Sequence, residues 1–207
     1  MIRPKERPIL FSAPMVRAIL EGRKTVTRRK VKKQAALDCL AAGFEPAFLA
    51  LPGNADLCPY GQPGDRLWVR ETWAADAQLN AIAPRELSQG EPILFPADGA
   101  LREVGCSMIS PGRSRPSIHM PRWASRILLE ITEVRVERLQ DITHEDAAAE
   151  GVHRDSACRM WTATDEGGTC HRYPTPAFKD LWTGINGLAS WNTNPWVWVV
   201  EFKQVTL

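Results

Sequence analysis

Residues 20–33, LEGRKTVTRRKVKK, change character at a single glycine. Upstream, Val16, Ile19 and Leu20 fall at helical spacing within APMVRAILEGR, and Gly22 is placed to end that helix. Downstream, KTVTRRKV carries the β-branched residues Thr25, Val26, Thr27 and Val31 and reads as extended. Side chains of a strand point to alternate faces, so Thr25, Thr27 and Arg29 share one side. Lys24 joins them only where the helix-to-strand turn rotates it. Seven residues of the stretch are basic, and none after Glu21 is acidic.

The neighbouring segments extend this pattern in both directions. RPILFS, before the helix, reads as a short strand. PGDRLWVRETW (63–73) is a turn feeding a strand, with Leu67, Val69 and Glu71 on one face and Trp68, Arg70 and Thr72 on the other. SRILLEITEVRVERL (125–139) alternates through Ile127, Leu129 and Ile131, then through Val134 and Val136, which predicts a bulge near Thr132. DITHEDAAAEGV follows as a helix capped by Thr143 and stopped at Gly151. TPAFKDLWTGING predicts a second helix, with Thr175 as cap and Pro176 at its first position. NPWVWVVEFKQV closes the chain as a strand. The fold class expected is α+β, a mixed β-barrel with flanking short helices, in one domain over residues 1–207. Three stretches of little periodicity, near 34–62, 76–110 and 153–175, read as insertions.

The chain has 207 residues and a net charge of +2, with 44% hydrophobic and 24% charged residues, ordinary values for a globular protein. Charge is unevenly placed. Residues 1–33 hold eleven Lys or Arg against two acids, a net of +9, while the remainder carries −7. That asymmetry predicts a local anion-binding face or a solvated basic segment. The five cysteines are scattered and include no C-x-x-C, which fits a reducing compartment, and His153, Cys158, Cys170 and His171 match no zinc-finger spacing. No membrane span or signal-peptide core is apparent, so a cytoplasmic location is expected.

ILEGRKTVTRR, GDRLWVRE, ITEVRVERLQDIT, the helix ending in AEGV and the terminal WVWVVEF resemble, in that order, the ASCH domains of the PUA-like superfamily. RPILFSAPMVRAILEGRKTVTRR and SIHMPRWASRI are similar to phage- and prophage-type members. The resemblance covers about residues 7 to 203. It implies a β-barrel with flanking helices and a cleft suited to RNA or a nucleoside. A small bacterial member removes the acetyl group from N4-acetylcytidine, and its motif G-[RK]-K-T-x-T-x-R is matched by Gly22 to Arg29. The resemblance therefore implies a catalytic lysine at Lys24, a nucleophilic threonine at Thr27, a functional arginine at Arg29 and a catalytic glutamate at Glu150.

The residues themselves allow that chemistry. Cleaving an amide takes a nucleophile, a base to activate it and a donor for the developing oxyanion. Thr27 offers a hydroxyl, and a lysine among the cations Arg23, Arg28, Arg29 and Lys30 is pushed toward its neutral, basic form. Glu150 closes a helix whose dipole disfavours a carboxylate there; on the residues alone it reads as a surface glutamate with no role, and with the resemblance as a partner of Lys24 or a proton carrier. Arg23, Thr25 and Arg29 are further substrate-binding candidates. Trp68 and Trp123 are candidates for stacking on a base, against the commoner fate of a strand tryptophan in the core. Glu71 offers an acceptor to an exocyclic amine or a partner to a nearby arginine. His119 and Arg122, in SIHMPRW, extend the anion-binding face or serve structure alone.

The function expected is a metal-independent hydrolase of an N4-acylated cytidine or related modified nucleoside, with no cofactor. An RNA or modified-base binding module without turnover is the alternative, and a ribonuclease the second. The partner expected is a modified nucleoside or single-stranded RNA, with no membrane.

Overall fold

A computed structural model describes residues 4–54, 56–163 and 168–206. In chain order the elements are β1 (Glu6–Leu10), α1 (Ala13–Leu20), β2 (Val26–Lys30), α2 (Gln34–Ala41), α3 (Pro46–Leu49), β3 (Arg66–Arg70), β4 (Ile93–Phe95) and β5 (Ala100–Arg102). There follow β6 (Leu128–Arg138), α4 (His144–Ala149), β7 (His153–Arg154), β8 (Trp161–Thr162), α5 (Pro174–Asn186) and β9 (Trp196–Val205). Five strands form one mixed sheet in the order β1-β3-β6-β9-β2, in which β1 and β3 are parallel and the other neighbours antiparallel.

The last strand, β9, buries both faces, which explains its hydrophobic density. On β9, Trp198, Val200 and Phe202 enter one core, while Val197 and Val199 enter the other. The first core holds Leu67 and Val69 of β3 with Val16 and Ile19 of α1; the second is covered by Ala147 of α4 and by Ala177, Phe178 and Trp182 of α5. The β6–β9 register shifts between Ile131 and Glu133, at the bulge the alternation predicts. Because of that extra residue, Leu129 and Ile131 before it and Val134 and Val136 after it all face the first core.

The architecture is α+β, but the expected closure into a barrel is not found among the described residues. β1 and β2 are the edges of the sheet. The chain passes from one edge to the other through α1, whose apolar side fills the first core. The edges meet through a side chain instead of a ladder: the Arg29 guanidinium donates from Nη2 to the Leu10 carbonyl at 2.7 Å.

The three stretches read as insertions differ among themselves. Residues 34–62 place Ala36, Leu49 and Cys58 in the first core. Within 76–110 the β4–β5 hairpin builds a third cluster, where Ile93 and Phe95 meet Trp73 and Met120. Residues 153–175 carry the β7–β8 ribbon, and 164–167 lie outside the described residues. α5 begins at Pro174 with Tyr173 as its cap, two residues before the predicted Thr175 cap. Thr143 caps α4 as predicted, its Oγ1 accepting from the Asp146 N–H at 3.0 Å. Among the described residues no helix is long and apolar enough to cross a membrane.

Candidate active site

The turn after α1 fixes where Lys24 enters the fold. Gly22 adopts φ +73°, a conformation open to glycine at little cost, and the N–H groups of Arg23 and Lys24 both donate to the Ala18 carbonyl, at 2.8 and 2.9 Å. The chain then runs between α4 and β9. Thr25 N–H donates to the Ala149 carbonyl at 2.9 Å, Phe202 N–H to the Thr25 carbonyl at 2.8 Å, and Lys24 bridges Glu150 in antiparallel fashion.

These constraints bury Lys24 against the end of α4. Its Nζ donates to Glu150 Oε2 at 2.6 Å, to the Glu150 carbonyl at 2.8 Å and to the Val26 carbonyl at 2.8 Å. All three donors of the ammonium are therefore engaged, and the Phe11 ring centroid lies 5.6 Å from Nζ. Burial pulls the Lys24 ammonium below the ordinary lysine range; Glu150 opposes this by charge and hydrogen bond, and Arg29 and Arg28 reinforce it. Gly151 is required beside the pair: at φ +103° a Cβ there would lie 3.1 Å from Ala18 Cβ and 3.3 Å from Lys24 Cβ.

Beyond this pair opens a cleft of about 170 Å³. Thr27, Arg29 and Glu150 line it with Tyr60, and α5 contributes Phe178, Leu181, Trp182 and Ile185. Thr27 is 2% exposed, and among the described residues its hydroxyl makes no hydrogen bond. Lys24 reaches the carbonyl of the peptide that precedes Thr27 without bonding the Thr27 side chain. Arg29 lies over the Phe11 ring at 5.4 Å and lends a positive rim, with Arg28, Lys30 and Lys32 also on the lining.

Thr27, Glu150 and Arg29 thus share one cleft, with Lys24 directly behind Glu150. The other candidates lie elsewhere. Arg23 donates to Glu21 and to the Gly151 carbonyl, and Thr25 is exposed outside the lining. Glu71 is held by two 2.9 Å bonds from Arg126, which leaves no role for it in this cleft. Trp68 is buried beneath Arg70 and Arg122 on the outer side of β3, and Trp123 packs into the hairpin cluster under Arg102. His119 belongs to a separate groove with Arg70 and Arg85, and Arg122 pairs with Glu6 at 2.8 Å.

Sequence reasoning missed Tyr60 and the α5 wall. The wall had a signal, because Phe178, Leu181, Trp182 and Ile185 repeat at helical spacing on one side of a helix. Tyr60 had none, sitting in a stretch without period. Among the described residues no group of three or more His, Cys, Asp or Glu is arranged to hold a metal ion. No family model, curated protein or solved structure matches the chain.

Proposed function

We propose that this chain is a hydrolase that removes the acyl group from an N4-acylated cytidine or a related modified nucleoside, with residues of its own and no metal carrying the reaction. The observation that carries this reading is the buried Lys24–Glu150 pair placed behind a cleft that Thr27 lines. Such a pair costs desolvation and is weak support for stability, so its place at a cleft favours chemistry.

In the proposed reaction Lys24 acts as the free amine, the form that burial favours. Losing one proton releases one of its three bonds, and the Val26 carbonyl, next to Thr27, is the one whose release turns the lone pair toward the hydroxyl. Thr27 Oγ1 attacks the acyl carbonyl carbon while Lys24 takes its proton. Arg29 faces the oxygen on which negative charge collects. Glu150, bonded to Lys24, passes the proton to the departing N4 amine, and cytidine leaves. Water, deprotonated by the same lysine, then attacks the acyl-threonine ester; the carboxylic acid leaves, and the lysine returns the proton to Thr27 Oγ1.

The cleft volume lies below the range of about 300–1,000 Å³ usual for drug-sized ligands, which favours one base and its acyl group over a length of polymer. We further propose that the sheet is a PUA-like barrel of the ASCH type and that the protein acts in the cytoplasm. The supporting features are the sequence order of the matched motifs and the edge-to-edge link from Arg29 to Leu10. The test is incubation of the purified protein with N4-acetylcytidine in a chelator, with chromatography of the products. Equal amounts of cytidine and acetate are expected; binding without products supports a reader instead.

A further inference from the structure

Arg28 is more deeply buried than any requirement of strand β2 explains. Its side chain is fully inaccessible, and its guanidinium pairs with Asp146 of α4 and Glu137 of β6. Nη2 donates to Asp146 Oδ2 at 2.6 Å and to Glu137 Oε2 at 3.2 Å. Nη1 lies 3.6 Å from Glu150 Oε1, beyond hydrogen-bond length, and neither of these two atoms has another partner. The Glu150 carboxylate therefore stands between two cations, with Lys24 on Oε2 and Arg28 facing Oε1.

We propose that Arg28 is a positioning residue for the hydrolysis: it holds Glu150 as an oriented carboxylate and so lets Lys24 give up its proton. The inference rests on the hydrolase reading for its purpose, but its physics is separable. If Lys24 alone faced Glu150, deprotonation would strand a buried carboxylate, and the pair would keep its proton. A fixed guanidinium on the other oxygen supplies the missing countercharge. The guanidinium suits this because it stays charged at every pH of interest. Asp146 and Glu137 hold it in place, and they are tied in turn by Arg135, which also pairs with Glu201 on β9. The charged groups around Lys24 are then Glu150 from α4 and Arg28 and Arg29 from β2, with Arg23 and Glu21 on the turn before it. No such arrangement is needed for a surface glutamate.

The test is a titration of Lys24 by NMR in the full chain, with lysine labelled at the side-chain carbons and Lys24 assigned by its loss in Lys24→Met. In the wild type Lys24 titrates below the ordinary lysine value. A wild-type Lys24 that titrates at or above the ordinary lysine value overturns the inference, and this arm needs no variant. In Arg28→Met, Lys24 titrates about one pH unit higher, since a like charge within a few ångströms is gone; Arg28→Lys, which keeps the charge, stays close to wild type. A folded Arg28→Met with an unmoved Lys24 also overturns it. Turnover of N4-acetylcytidine is followed in parallel. A moved titration with no turnover leaves Arg28 its role and removes the hydrolase reading, and turnover with an unmoved titration does the reverse.

Discussion

Lys24 Nζ lies 2.6 Å from Glu150 Oε2, with both side chains almost wholly out of water, 126 residues apart in sequence. Removing one partner leaves the other charge buried. Lys24→Met is expected to lower stability by about 3–5 kcal/mol, whereas Lys24→Met with Glu150→Leu recovers most of that loss. Thermal or urea unfolding of the single and double variants measures the difference. Activity is absent from both, which separates the pair's chemical role from its structural one.

Thr27→Ala removes a hydroxyl that makes no hydrogen bond among the described residues and little contact area. Its fold and its affinity for N4-acetylcytidine should stay near wild type, while kcat falls on the order of 10⁴-fold, as expected for loss of a nucleophile. Calorimetric titration with the nucleoside checks the binding, and product chromatography checks the rate. A loss of affinity that equals the loss of rate contradicts the assignment.

The pH dependence follows from the lowered ionisation of Lys24. Its free amine is the active form, so kcat/KM rises with pH and levels off below the ordinary lysine value of 10.5. Glu150 raises the Lys24 value, so Glu150→Gln moves the rising limb to lower pH while its plateau falls about 10²-fold. The sign for stability is the same for both. An unfolded chain binds a proton at Lys24 over a range where the folded chain has released it, so this lysine's contribution to stability improves as pH rises toward 10.5.

Much of the fold was legible where a local rule acts alone. The bulge between Ile131 and Glu133 follows from a break in alternation, and the α4 cap from Thr143 ahead of two acids. The five-strand order and the filling of the first core by Ala36, Leu49 and Cys58 were not, because they depend on which distant segments pair. In the site, the placement of Lys24 was undetermined by strand periodicity and is set by Gly22 and the Ala18 carbonyl. Glu71 and Trp68 were candidates for contacts to a base, yet Arg126 and Arg70 answer them within the protein. A pattern shows which face a side chain takes but not which cation lies opposite.

Gly151 links backbone geometry to the pair. Gly151→Ala places a Cβ against Ala18 and Lys24 at a positive φ, and is expected to cost about 1–2 kcal/mol from conformation alone. Because the displaced neighbour is Lys24 itself, kcat should fall together with the melting temperature. By contrast, Glu71→Gln breaks the Arg126 pair outside the cleft, so it should lower stability and leave the KM for N4-acetylcytidine unchanged.

The most direct measurement is rapid-quench mass spectrometry of the protein mixed with N4-acetylcytidine, followed by peptide mapping of the segment around Thr27. A burst of cytidine is expected, matched by a transient gain of one acetyl group on Thr27 that is absent from Thr27→Ala. Cytidine released with Thr27 unmodified and with Thr27→Ala fully active, or no cytidine released at all, would contradict the proposed reaction.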